Sequence, residues 1–224
     1  MMIRHIHVDE CDSTQDILKE QLSTQTHFAQ FLVSCENQVM GRGRGSNVWK
    51  AMPGTVCFST NLAAHPTLSF TALELSVLVA RFFEARGRKL LLKWPNDLWD
   101  ESRRKCVGIL VQGTQNALLA GIGLNLFSDD ENFGGIFEEA FALDKKHAAR
   151  EIFDFINSHR YTNKEDLIRD WEARCGHMNE MVTVTEGSEV HRGSFVGIGE
   201  YGECLLKDGD KSYRLYNGSL RLIR

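Results

Sequence analysis

Gln38-Val-Met-Gly-Arg-Gly-Arg-Gly-Ser-Asn-Val-Trp49 sets three glycines against two arginines. It runs just ahead of Gly54-Thr-Val-Cys-Phe-Ser59, an apolar stretch that reads as a strand. Glycine lets backbone N–H groups come close to a ligand. Arginine offers a planar fork that matches carboxylate and phosphate. The loop suits a ligand carrying one or two anions, or it is a solvated basic loop. It lacks the Gly-Lys-Ser/Thr ending of a P-loop. Its last glycine leads toward a strand and not a helix, so it is no dinucleotide-binding fingerprint.

On the N-terminal side, Ile3 to Val8 alternates as a first strand, and Asp12-Ser-Thr-Gln15 offers cap residues to a helix carrying Ile17, Leu18 and Leu22. Phe28 to Cys35 reads as a second strand and Thr55 to Leu62 as a third. Leu68, Ala72, Leu75, Val79 and Phe83 space a long amphipathic helix over 67–86, with Gly87 placed to end it. Residues 90–99 and Cys106 to Gln112 read as strand, turn, strand, and Ala117 to Leu126 as another strand. The pattern is helical from about 136 to 176, including Ala148 to Ser158 and Lys164 to Cys175. After His177 short β-rich runs alternate with turns such as Asp208-Gly209 and Asn217-Gly218. The expectation is an α+β fold with a small β-barrel appended from about residue 178.

The 224 residues carry a formal net charge of −4, which argues against a general nucleic-acid binder. Positive charge is local, at Arg42 and Arg44 and again at Arg103-Arg-Lys105. Six cysteines without C-x-x-C spacing read as reduced thiols, and eight histidines without metal-ligand spacing make structural zinc an unlikely reading. The N-terminal residues are not a signal peptide, and no apolar run has the length of a membrane span. The expected place is the cytoplasm.

Four segments together resemble the biotin–protein ligases of the wider biotin/lipoate ligase family. They are Asp12-Ser-Thr-Gln15; Gln38-x-x-Gly-Arg-Gly-Arg44 with Trp49; Lys93-Trp-Pro-Asn-Asp97 with Lys105-x-x-Gly-Ile-Leu110; and Gly121-Ile-Gly-Leu-Asn125. The Lys-Trp-Pro-Asn-Asp element is the most specific and points to the biotin branch over the lipoate branch. The resemblance implies a catalytic domain over 1–177, with a central mixed or antiparallel sheet flanked by helices, and an SH3-like barrel over 178–224. It implies two steps: biotin and ATP give biotinyl-5′-AMP, and biotin then passes to one lysine of a biotin carboxyl carrier protein. Substrates would be ATP and biotin, with Mg²⁺. No membrane or nucleic-acid partner is expected, and an exposed sheet edge is open to a second copy, as a homodimer, or to the carrier.

By the same resemblance Lys105, Arg42, Arg44 and Asp97 are the catalytic candidates. Lys105 places a compact cation where charge builds between carboxylate and α-phosphate. Biotin would contact Ser13, Thr14, Gln15, Gln38, Gly41, Arg42, Gly43, Arg44, Lys105 and Gly108. Hydroxyls and amides suit its ureido ring, since an unpaired buried ureido group costs roughly 1–3 kcal/mol. Ser13 and Thr14 read equally as helix caps. The nucleotide would contact Arg44, Trp49, Asn96, Asp97, Lys105 and Asn125. Asp97 is the metal candidate, or it orients the incoming lysine. Trp49 reads alternatively as core and Asn125 as a strand-end turn residue. Arg221 and Arg224 are the candidates for an arginine near the nucleotide.

The family's loop continues Gly-Arg-Gly-Arg-Arg-Gly-Arg, and here Gly45-Ser46-Asn47 stand in the last three places, two cations fewer. Many relatives carry an N-terminal helix-turn-helix, and since the sequence opens on the first catalytic strand no repressor role is expected. Two alternatives accompany the ligase reading. One is a non-catalytic module holding biotin or its adenylate, and the other is a lipoate or octanoyl ligase on the same fold.

Overall fold

The computed structural model describes residues 3–24, 30–114 and 118–223. β1 (Ile3–Cys11) leads into α1 (Thr14–Thr24), and β2 (Gln30–Gln38) returns alongside β1 in parallel. The start expected for β2, at Phe28, lies outside the described residues, as does Ala117 ahead of the later strand. β5 (Thr55–Leu62) is buried along its whole length, its polar Thr55, Ser59, Thr60 and Asn61 included. Beyond it come β6 (Leu91–Lys93), β7 (Asp97–Trp99), β8 (Lys105–Gly113) and β9 (Leu118–Asn125). The seven strands run in the order β1-β2-β5-β9-β8-β7-β6, antiparallel except for the β1–β2 pair.

One expected strand over residues 90–99 is two. Proline offers no N–H to a ladder, and Trp94-Pro95-Asn96 forms the turn between β6 and β7, with a cis Trp94–Pro95 peptide. The Trp94 indole N–H donates to the Gly202 carbonyl at 3.0 Å and buries its ring.

α2 (Phe70–Glu84) packs its many buried side chains between this sheet and the later helices, and Gly87 turns the chain away at φ +74°. Each such buried Leu or Phe contributes roughly 1.5–3 kcal/mol of burial. The helical reading of 136–176 holds for α3 (Lys145–Ser158) and α4 (Lys164–Glu172), capped by the side chains of Asp144 and Asn163. Residues just after 135 are not helical because their N–H groups are used elsewhere. Ile136 donates to the Asn125 carbonyl and Phe137 to that of Leu126.

The C-terminal strands are β10 (Met181–Glu186), β11 (Glu189–Ile198), β12 (Cys204–Asp208), β13 (Lys211–Leu215) and β14 (Ser219–Leu222). They pair in the order β13-β12-β11-β10-β14 as an antiparallel sheet. The expected barrel is not closed, because β14 returns to β10 and leaves β13 and β14 on opposite edges. The core is continuous between the two sheets, with Leu92 and Trp171 sharing it with Val182 and Phe195. No helix among the described residues is long and apolar enough to cross a membrane.

Candidate active site

The glycine–arginine loop is a hairpin. β3 (Gly41–Arg42) pairs with β4 (Val48–Trp49), Gly41 opposite Trp49 and Arg42 opposite Val48. Gly43 N–H donates to the Asn47 carbonyl at 2.8 Å, which closes the turn. Beneath the hairpin lies a cavity of about 470 Å³. Its walls are the first turn of α1, the faces of β5, β8 and β9, the β6–β7 turn and the start of β14.

One end of the cavity is a neutral hydrogen-bonding set. Thr14 donates its backbone N–H to Gln38 Oε1 at 3.0 Å, and its hydroxyl lies 2.7 Å from that of Ser59. Ser13 Oγ accepts from the Gln15 N–H at 3.3 Å, so it also serves the start of α1. Gln15 donates through Nε2 to the Leu110 carbonyl at 3.2 Å. Its side chain lies across Gly121, where a Cβ would come within 2.8 Å of that Nε2. The Gln38 amide lies 3.6 Å from the Cys57 sulfur. Burial pushes the Cys57 thiol up to about 12, so the floor here is uncharged.

The other end is cationic. Lys105 Nζ is 2.6 Å from Asp97 Oδ1, and Lys93 Nζ is 3.5 Å from Asp97 Oδ2. Arg44 donates to Asn96 Oδ1 at 3.4 Å and to the Gly218 carbonyl at 3.0 Å. Asn96 in turn donates to the Ile109 carbonyl at 2.5 Å. Burial lowers the pKa of Lys93 and of Arg44, and the Asp97 carboxylate opposes both shifts. Arg221 adds to the lowering at Lys93, which places its charge near this end, while Arg224 lies outside the described residues. Three cations around one carboxylate leave positive charge in excess.

Trp49 joins the two ends. Its indole lies flat on the cross-strand pair Gly108 and Gly123, and a Cβ on Gly108 would fall 2.8 Å from Cζ3. Lys105 Nζ sits 5.6 Å from the ring centroid. The close approach expected at these glycines is therefore made by the protein's own indole.

The structure gathers Ser13, Thr14, Gln15, Gln38, Arg42, Gly43, Arg44, Trp49, Asn96, Asp97, Lys105 and Gly108 around the one cavity. Two sequence candidates stand apart from its lining. Gly41, at the base of the hairpin, does not line the cavity, and a Cβ there would crowd Gln38 and Trp49. Asn125 is buried, with its Oδ1 accepting the Thr55 hydroxyl at 2.9 Å, so its amide is turned to β5 and not to the cavity. Sequence reasoning passed over Ser59, Cys57, Ser219 and Leu220, all in the wall. A serine within the buried run of β5 was a signal for the first. Nothing local flags Ser219 and Leu220, which arrive by tertiary folding.

Among the described residues no three His, Cys, Asp or Glu side chains group to hold a metal. Both oxygens of Asp97 face lysines. Mg²⁺ is ordinarily held by one or two carboxylates together with substrate phosphates, and a single carboxylate already paired twice does not make a resident metal site.

A mixed sheet backed by helices, carrying a cavity neutral at one end and cationic at the other, defines an α+β protein built to hold an elongated ligand with an anionic end. The chain belongs to the biotin/lipoate A/B protein ligase family, whose sequence pattern matches residues 8–128. It is 24% identical over 241 residues to the bifunctional ligase/repressor BirA of Bacillus subtilis, covering 97% of this chain and 73% of that one. It is 27% identical over 188 residues to the human biotin–protein ligase, covering 74% of this chain and 26% of that one. Among solved structures, the biotin protein ligase of Aquifex aeolicus in complex with biotin and ATP matches with a TM-score of 0.81 at 22% identity, over 98% of this chain and 99% of that one. The Helicobacter pylori biotin acetyl coenzyme A carboxylase synthetase with bound biotinylated ATP matches with a TM-score of 0.72 at 21% identity, over 95% and 100%. At these identities the structural likeness establishes the fold.

Proposed function

We propose that the chain is an ATP-dependent biotin–protein ligase. The observation that carries this reading is the polarity of the cavity: Ser13, Thr14, Gln38 and Ser59 at one end, Arg44, Lys93 and Lys105 at the other. Biotin is a neutral ureido ring joined to a carboxylate by an apolar tail, and those two ends ask for those two environments.

In the first step a biotin carboxylate oxygen bonds to the α-phosphorus of ATP, the bond to the bridging oxygen breaks, and pyrophosphate leaves. Two anions must meet, and Lys105 and Arg44 offset their repulsion where charge accumulates. Asp97, bonded to Lys105, fixes that ammonium in place. Trp49 offers a flat apolar face beside Lys105 for the adenine. Any Mg²⁺ enters as part of the nucleotide, in keeping with the lack of a protein-built metal site among the described residues. In the second step the ε-amine of a lysine on a biotin carboxyl carrier protein bonds to the acyl carbon. The acyl–phosphate C–O bond breaks, AMP leaves, and the amine loses a proton. Asp97 is the carboxylate placed to orient that amine.

Exchange of labelled pyrophosphate into ATP tests the reading. Exchange should appear with biotin and not with lipoate or octanoate. Binding of biotin with no exchange would assign a non-catalytic module instead, the reading favoured by the uncharged Gly45-Ser46-Asn47. Exchange driven by lipoate or octanoate would assign the sister activity.

A further inference from the structure

Arg42 behaves differently from the other cations of the cavity. Its guanidinium is ion-paired with Asp16, in the first turn of α1. Asp16 lies outside the cavity wall and is not part of any motif in the sequence. The pairing continues a seam. Val39 N–H donates to the Cys11 carbonyl and Met40 N–H to that of Asp12, both at 2.9 Å, so the chain entering the hairpin is stitched to the chain entering α1. Beyond Arg42 the hairpin turns at Arg44, Gly45, Ser46 and Asn47, of which the last three are exposed. On the far side Arg44 reaches the Gly218 carbonyl. The hairpin is thus held by Trp49 on the Gly108–Gly123 floor and by one arginine on each flank, and Arg42–Asp16 is the flank contact beside Ser13, Thr14 and Gln38.

We propose that Asp16 is a positioning residue for biotin: its carboxylate holds Arg42, and through Arg42 seats the 41–49 hairpin over the hydrogen-bonding end of the cavity. This role rests on the ligase reading for its substrate but not for its geometry. On this assignment Arg42 works mainly through its partner in the protein, and neutralisation of the reacting anions falls to Arg44 and Lys105. Both members of the pair are close to half exposed, so the pair adds little to global stability. Its effect is local, on how long the hairpin stays closed.

The test is charge reversal, read in two ways. The first is hydrogen exchange of the Gly43 and Asn47 amides in the full chain, which needs no substrate. Asp16→Arg should speed that exchange about tenfold, equivalent to about 1.4 kcal/mol of local opening. Arg42→Asp should do the same, and the double reversal Asp16→Arg/Arg42→Asp should restore protection. The second is biotin-dependent pyrophosphate exchange. Asp16→Arg should raise the biotin KM about tenfold with kcat within about twofold. Asp16→Asn, which leaves Arg42 in place, gives a milder shift in the same direction should the reversal fail to fold. Wild-type amide protection and KM in Asp16→Arg, or a folded double reversal whose Gly43 and Asn47 amides stay as unprotected as in the singles, would overturn the assignment. Inactive wild-type protein that still shows the amide-exchange pattern would remove the ligase reading and leave the anchor standing.

Discussion

Lys105 and Trp49 carry the sharpest expectations for single side chains. Lys105→Ala removes a cation 2.6 Å from Asp97, which on the proposed ligase reading is where two anions meet. Loss of such a group should lower biotin-dependent pyrophosphate exchange by about 10²–10³-fold. The melting temperature should change little, because the side chain is one-third exposed. An exchange rate near wild type would remove Lys105 from the chemistry. Gly123→Ala probes the platform under the indole. The new Cβ would lie 2.6 Å from Trp49 Cζ2, with backbone on one side and ring on the other, so the indole must leave. Thermal unfolding should show a loss of about 1–3 kcal/mol, and the KM for ATP should rise as the adenine face is displaced. That Lys105, Asp97 and Arg44 come together in one wall was readable, because the family spacing singles them out. Asn125 was misplaced because spacing along a strand says nothing of which neighbour the amide prefers, and Thr55 takes it.

Among the elements, the hairpin of β3 and β4 and the Trp94-Pro95-Asn96 turn are where local sequence was least sufficient. The apolar Val56-Cys57-Phe58 run announced β5, and the helical spacing of apolar residues announced α2. The hairpin has two residues per strand and glycines with no pattern to alternate, so its pairing follows from what it packs on. Its tip is where this chain has Asn47 in place of a family cation, and Asn47 borders the cavity. Asn47→Arg keeps the backbone carbonyl that closes the turn and adds a charge facing the nucleotide. The KM for ATP should fall several-fold at low salt, and the gain should shrink as ionic strength rises past about 0.15 M. An unchanged KM at all salt concentrations would mean that the tip does not meet the phosphates.

The junction of the two sheets predicts how the fold responds to acid. His177 is fully buried against Trp99, Trp171 and Phe195. Burial, reinforced by Lys93 and Arg103, pulls its pKa from 6.5 to about 3. Above pH 6.5 the ring is neutral both folded and unfolded, and its contribution to stability is intact. Between about 6.5 and 3 the unfolded chain binds a proton that the folded chain refuses, so stability should fall as pH falls through that window. His177→Phe should flatten the melting-temperature slope between pH 6.5 and pH 5, leaving the share from His5, whose pKa burial lowers to about 4. An equally steep slope in the variant would place the acid sensitivity elsewhere. That the two sheets share a core through Trp171 and Phe195 could not be read from local pattern, since neither residue signals its partner across the chain.

The reach of Arg44 to Gly218, and the presence of Ser219 and Leu220 in the wall, also bear on biosynthesis. A ribosome that has translated the glycine–arginine segment and both lysines has still made an open trough, because the strip that encloses it is coded more than a hundred codons later. Nascent chains and products of premature termination upstream of Leu220 therefore lack this strip of the wall, and are expected to bind a ligand of the cavity less tightly than the finished chain.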